Sequence, residues 1–162
     1  LVRLQLASGL RPGEAIEICP AQIDRSRTPW LYIPASGGKG LHLDKQRRIF
    51  FGPRARAILA PLIEISEPQE PLFRFSGLRG KSFVSVQIGF YRQSMARACA
   101  AAGVSVIRPH QLRHTFATLV WQQYEDDKAV ADALGNTPEV ARQVYVDHAG
   151  DSVAARIAET LG

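Results

Sequence analysis

The tightest constraint on this chain is its punctuation: glycines stop one apolar segment after another, and prolines restart them. LVRLQLAS (1–8) looks like the end of a helix and stops at Gly9. RPGEAIEI (11–18) restarts one, with Pro12 in a first-turn position and Glu14 in the same turn. PRARAILAPLIEI (53–65) repeats apolar residues at helical spacing behind Pro53. Residues 84–102 predict a long helix ended by Gly103, and residues 110–122 predict another. Asp126 or Asp127 caps a helix through Leu134, ended by Gly135. Thr137 and Pro138 begin one that reaches about Tyr145, and Ser152 caps a last one to Leu161.

Strand signals are fewer. TPWLYIPA (28–35) and RRIFFG (47–52) predict a hairpin over 30–51, joined through the turn SGGKG (36–40). Residues 66–82 hold prolines, glycines and polar residues and read as a loop with a short strand at PLFRF. The expected fold class is therefore α+β, mainly α-helical with a small antiparallel β-sheet.

Composition bounds this picture. At 162 residues, 46% hydrophobic and 22% charged, the chain has apolar mass for one globular core. No apolar run approaches the ~18 residues of a membrane helix, so no membrane partner is expected. Cys19 and Cys99 are the only cysteines, far apart, which argues against a zinc site or a disulfide framework and fits a reducing, cytoplasmic compartment. Because the chain opens in what looks like mid-helix, it reads as a fragment of something longer.

Charge is unevenly spread. Residues 1–60 hold ten Lys/Arg against four Asp/Glu, residues 61–120 seven against three, and residues 121–162 three against eight. A basic body with an acidic tail fits a polyanion-binding surface.

Four short stretches hold candidate chemistry. In PHQLRHTFATLV (109–120), His110 and Arg113 are three apart and share one face of a helix start, where backbone N–H groups also favour an anion. In SGLRPGE (8–14), Arg11 follows a glycine turn and presents a planar fork suited to phosphate oxygens, with Glu14 placed to hold it. Lys39 sits in the glycine-flanked turn SGGKG. Lys45, Arg47 and Arg48 follow it and read as backbone-phosphate contacts or a solvated edge. In VARQVYVD (140–147), Tyr145 ends a short helix among polar neighbours. Taken singly, each has an ordinary reading: a surface ion pair, a solvated hairpin tip, a buried core tyrosine.

Taken in order, they resemble the catalytic domain of the tyrosine recombinase (phage integrase) family. The resemblance runs from about residue 1 to 147 through SGLRPGE, the GGK hairpin with KQRRIFFGPRARAIL, PHQLRHTFAT and ALGNTPEVARQVYVD. It implies a DNA strand-exchange enzyme working without metal, ATP or other cofactor. Tyr145 matches the nucleophile that joins the DNA 3′ phosphate, leaving a free 5′ hydroxyl. Arg11 and Arg113 match the arginines that clamp the non-bridging oxygens. Lys39 matches the lysine that protonates the leaving 5′ oxygen, His110 the base or hydrogen-bonding partner, and Glu14 the supporting acid. Asn136 departs from the pattern, since the family usually has histidine or tryptophan there. Asparagine can still donate to a phosphate oxygen, but it is never cationic.

The resemblance also implies double-stranded DNA as partner and an oligomer, a tetramer, assembled through the final helix. It implies a bacterial or phage origin, and a separate N-terminal helical domain that residues 1–162 lack. Arg92 and Arg97, on the helix over 85–102, are candidates for DNA contact. Three other readings stay open: a DNA-binding protein of this fold that has lost catalysis, a type IB topoisomerase, and an all-helical binding module with a basic face.

Overall fold

A computed structural model describes residues 1–35, 47–76, 83–136 and Glu139. The first helix, α1 (Val2–Ser8), shows in its last turn why it stops. Gly9 takes φ 63°, a left-handed conformation, and its N–H donates to Gln5 O at 2.8 Å. Ser8 Oγ turns back onto Leu4 O at 2.6 Å. Gly9 is also where two other helices press against the chain. A Cβ there would lie 2.8 Å from Phe116 Cε1 and 2.9 Å from Leu134 Cδ2, and would overlap Phe116 Cδ1. Gly9→Ala should therefore cost about 3 kcal/mol, backbone strain and overpacking combined. Urea denaturation checks this, and a loss under ~1 kcal/mol would show that the helices yield easily.

Helix α2 (Pro12–Glu17) follows, then a 3-10 turn at Pro20–Gln22. Three strands come next: β1 (Ile23–Asp24), β2 (Trp30–Tyr32) and β3 (Ile49–Phe51). They pair antiparallel in that order, with Trp30 opposite Phe51, Leu31 opposite Phe50 and Tyr32 opposite Ile49. The predicted hairpin is thus present as β2 and β3. Its connection, residues 36–46 with Lys39 and Lys45, lies outside the described residues. The two-residue β1 has no alternation long enough to read from sequence. In β3, Ile49 and Phe51 are buried and Phe50 is exposed, the two-residue period of a strand with one covered face.

That covered face packs on α1 and on α3 (Pro53–Glu64). Leu4, Leu10, Ile18, Tyr32, Phe51 and Leu59 are fully buried there, and Tyr32 stacks on Phe51 at 5.7 Å between ring centres. Each such side chain stabilises the fold by roughly 1.5–3 kcal/mol.

A second hairpin follows, β4 (Arg74–Ser76) with β5 (Phe83–Ser85), and then α4 (Ile88–Ala101). This corrects the expected helix over 84–102, whose first turn is absent. Residues 83–85 are extended because they pair with 74–76, where PLFRF led one to expect a strand without a partner. Helix α5 (Pro109–Tyr124) runs slightly longer at both ends than predicted and packs on α1 and on α6 (Asp127–Leu134). Asp126 caps α6, accepting from Lys128 N–H at 2.9 Å and Ala129 N–H at 3.2 Å.

Two smaller cores join these helices. Ala117, Trp121, Val130 and Leu134 seal α5 on α6, while Ile16, Tyr91, Met95 and Leu112 tie α2, α4 and α5. Apart from Glu139, the helices predicted near 137–145 and 152–161, and Tyr145 with them, lie outside the described residues. No described helix is long and apolar enough to cross a membrane.

Candidate active site

Arg11 stands at the N-terminus of α2, where Pro12 sets the first helical residue. Glu14 Oε2 accepts from the Arg11 backbone N–H at 2.7 Å, and its Oε1 lies 3.2 Å from Arg11 Nη1. One buried carboxylate thus fixes both the backbone and the guanidinium of Arg11. It sits at the positive end of the short helix, where a negative charge is favoured.

Arg113 lies one turn into α5 and is only 4% exposed. Its Nη1 donates to Gly9 O at 2.5 Å, and its Nη2 to Leu134 O and to Asn136 Oδ1, both at 3.0 Å. The guanidinium therefore gathers the end of α1 and the end of α6. The sequence pattern aimed His110 and Arg113 the same way. In the structure Arg113 reaches inward, while His110 is exposed at the helix start.

Asn136 is placed by the way α6 ends. Gly135 adopts φ 61°, its N–H donates to Asp132 O, and the Asn136 N–H donates to Ala131 O at 2.9 Å, the two bonds of a Schellman close. The Asn136 side chain then sits between the two arginines. Its Oδ1 accepts from Arg113 and, at 3.5 Å, from Arg11 Nη2. Arg11 and Arg113, far apart in the chain, so converge on one oxygen.

Arg47 corrects an expectation. The sequence groups it with Lys45 and Arg48 as a phosphate contact or a solvated edge, but its side chain is 9% exposed and its Nη1 lies 2.9 Å from Glu14 Oε1. The signal was the strand period: 47 has the parity of buried Ile49 and Phe51, and 48 that of exposed Phe50. Burial first, then the Arg113 charge, lower the Arg47 guanidinium to about 9, against the pull of Glu14. Arg48 follows the other parity; it is exposed and lies over the Phe50 ring at 5.7 Å.

His110, though exposed, is partly shielded by its neighbours: that partial desolvation, and then the charges of His114, Arg113, Arg92 and Arg11, lower it below its usual range. The shift favours the neutral imidazole, which can accept or donate. Arg92 and Arg97 are exposed on α4, Arg97 lying over the Phe90 ring and donating to Ser94 Oγ at 3.3 Å. The roles expected of Lys39, Lys45 and Tyr145 rest on residues outside the described ones. Among the described residues no three His, Cys, Asp or Glu side chains are grouped to hold a metal ion.

Gln5 escaped the sequence reading. Fully buried, it donates from Nε2 to Leu10 O at 2.9 Å and Pro109 O at 3.5 Å, and accepts from Tyr91 Oη at 2.6 Å. It thereby ties together the residue before Arg11 and the residue before His110. A polar residue among LVRLQLAS was the only hint.

Comparison with known proteins adds to this geometry. A model described as the phage integrase family matches residues 1–151. The tyrosine recombinase XerC of Corynebacterium glutamicum is 29% identical over 147 residues, which cover 90% of this chain and 44% of that protein. Tyrosine recombinase XerC 1 of Ralstonia nicotianae is 32% identical over 153 residues, covering 85% of this chain and 45% of that one. The chain spans about half the length of the curated relatives it matches. Among solved structures, the XerH site-specific recombinase bound to a palindromic difH substrate superposes with TM-score 0.63 at 24% identity, covering 89% of this chain and 40% of that one. The Tn1549 transposon integrase in complex with transposon right end DNA superposes with TM-score 0.68 at 16% identity, covering 99% and 58%. At those identities the superpositions establish the shared fold.

Proposed function

The chain belongs to the phage integrase family, and from that premise we propose that it is the catalytic domain of a site-specific tyrosine recombinase acting on double-stranded DNA. The observation that carries this reading is the convergence of Arg11 and Arg113 on one oxygen, Asn136 Oδ1. Two forks fixed by Glu14, Gly9 and Leu134 are suited to the non-bridging oxygens of a phosphodiester, where charge develops during phosphoryl transfer.

In the proposed step the Tyr145 phenol oxygen attacks a backbone phosphorus and the P–O5′ bond breaks. Tyr145 loses its proton to His110 or to water, and Lys39 gives a proton to the leaving 5′ oxygen. A 5′ hydroxyl from a partner strand reverses the step, so bond energy is conserved and neither ATP nor a metal is called for. Asn136 would turn its amide to donate to a phosphate oxygen. Exposed Arg48, Arg92 and Arg97 would meet flanking phosphates, as would Lys45. The active form would be a tetramer on DNA joined through residues 152–161, inside a bacterial cell.

Asn136 also favours a second reading, a DNA binder of this fold with weakened catalysis, because it brings no charge to the site. One experiment separates the two. The chain is incubated with nicked duplexes randomised around the nick, so that cleavage releases a short strand and traps the adduct. A denaturation-resistant protein–DNA species is expected, with the nucleotide on the peptide holding Tyr145. A folded chain that binds duplex and never forms this species would establish the inactive binder.

A further inference from the structure

Arg47 poses a problem that its neighbours do not. It is a guanidinium buried beside two others, with a single carboxylate to share among the described residues. Its Nε and Nη2 have no hydrogen-bond partner among the described residues, and its contact with Glu14 at 2.9 Å is ionic rather than an aligned hydrogen bond. Glu14 Oε1 also faces Arg11 Nη1 at 3.2 Å, so both cations draw on the same oxygen. A buried ion pair this poorly satisfied is a weak device for stability, since packed apolar residues in place of such a pair often do as well. Among the described residues, the charged or ionisable groups around it are Arg11 and Glu14 from α2, Arg113 from α5 and Tyr32 from β2.

Resting on the recombinase reading above, we infer that Arg47 is a positioning residue that neutralises Glu14, so that Glu14 can hold Arg11 without cancelling its charge toward the phosphate. The count of charges carries this. Among the described residues, Arg11, Arg47 and Arg113 against Glu14 leave a net +2 in the pocket, and residues outside them add the same amount to every variant. A phosphodiester enters with one negative charge, and the charge on its non-bridging oxygens grows as the phenol oxygen attacks. With Arg47 absent the net falls to +1, and the Glu14 carboxylate answers Arg11 alone. The packing agrees: the Arg47 stem closes over Gly135, where a Cβ would lie 2.8 Å from Arg47 Cγ, so the residue is wedged between Glu14 and the segment that presents Asn136.

The test is a charge-restoration cycle. Arg47→Met should lower the rate of adduct formation on the nicked duplexes by about 30-fold, somewhat less than loss of a direct oxyanion donor. It should leave the thermal midpoint within a few degrees of the parent, because Glu14 keeps Arg11 as its partner while a buried, unsatisfied charge is removed. Adding Glu14→Gln to Arg47→Met returns the net to +2 and should recover about tenfold of that rate. Arg47→Lys, which keeps the charge, should stay within about tenfold of the parent. A merely structural Arg47 would instead lose stability and rate together, with no recovery from the second substitution. That pattern, or an Arg47→Met chain as fast as the parent, overturns the proposal.

Equilibrium binding of an unnicked duplex, run on the same four chains, keeps the two ideas apart. If no chain forms an adduct yet binding falls and recovers in the same order, the recombinase reading fails and the role of Arg47 stands. If binding shows no such order either, the role of Arg47 fails too.

Discussion

Arg113→Lys is expected to slow adduct formation by about 10³-fold and to destabilise the fold by about 3 kcal/mol. The two losses have separate origins. Lysine keeps the charge but offers an ammonium point where Arg113 offers a planar fork. It cannot reach Gly9 O, Leu134 O and Asn136 Oδ1 from one position, and those groups now lie 2.5, 3.0 and 3.0 Å from two different nitrogens. A buried carbonyl left without a donor costs roughly 1–3 kcal/mol. Asn136 would also lose the partner that holds it beside Arg11.

Arg113→Met makes the comparison sharper. It removes the hydrogen bonds but also a charge that repels Arg47. Its stability should therefore be no worse than that of the lysine variant, although its chemistry is lost as completely. Urea denaturation and adduct trapping on the same preparations read both quantities. A lysine variant that traps DNA within tenfold of the parent would contradict the reading of Arg113 as a forked phosphate clamp.

Much of this site was legible because its signals are local. His110 and Arg113 are one helical turn apart, Arg11 and Glu14 fill the first turn of α2, and Gly9 and Gly135 end helices at the residues that later meet Arg113. What escaped depends on contacts between segments distant in sequence. Arg47 looked like one more charge in a basic run, and only its parity with Ile49 and Phe51 separated it from Arg48. Residues 84 and 85 read as helix because the strand they pair with, 74–76, is set apart from them in the sequence. Asn136 was recognised as a departure, yet nothing near it in sequence told that its carbonyl oxygen would join two arginines. Buried Gln5, linking α1 to the starts of α2 and α5, shares the helical face of Leu4 and Ser8, but its period does not tell which distant backbone groups it joins.

Tyr145→Phe carries the largest expected effect: the adduct should disappear, a loss of at least ~10⁴-fold, while duplex binding stays within about threefold of the parent. The chain has four tyrosines, and the fold accounts for the other three. Tyr32 is buried against Phe51 with its hydroxyl toward Glu14 O, and burial, then Glu14 and Glu17, push its phenol up, away from the phenolate a nucleophile needs. Tyr91 donates its hydroxyl to Gln5 Oε1 at 2.6 Å, and burial pushes it up to about 12. Tyr124 is exposed, but it ends α5 and stands roughly 16 Å along the helix axis from Arg113. A phenol is unperturbed near ~10 and gains acidity beside cations. A net +2 shared by Arg11, Arg47, Arg113 and Glu14 offers that help only to a phenol brought up to Asn136. The control is therefore specific: Tyr124→Phe should trap DNA as the parent does. Should the Tyr145→Phe chain still form a denaturation-resistant adduct, the nucleophile is another side chain, and the proposed mechanism is wrong at its first step.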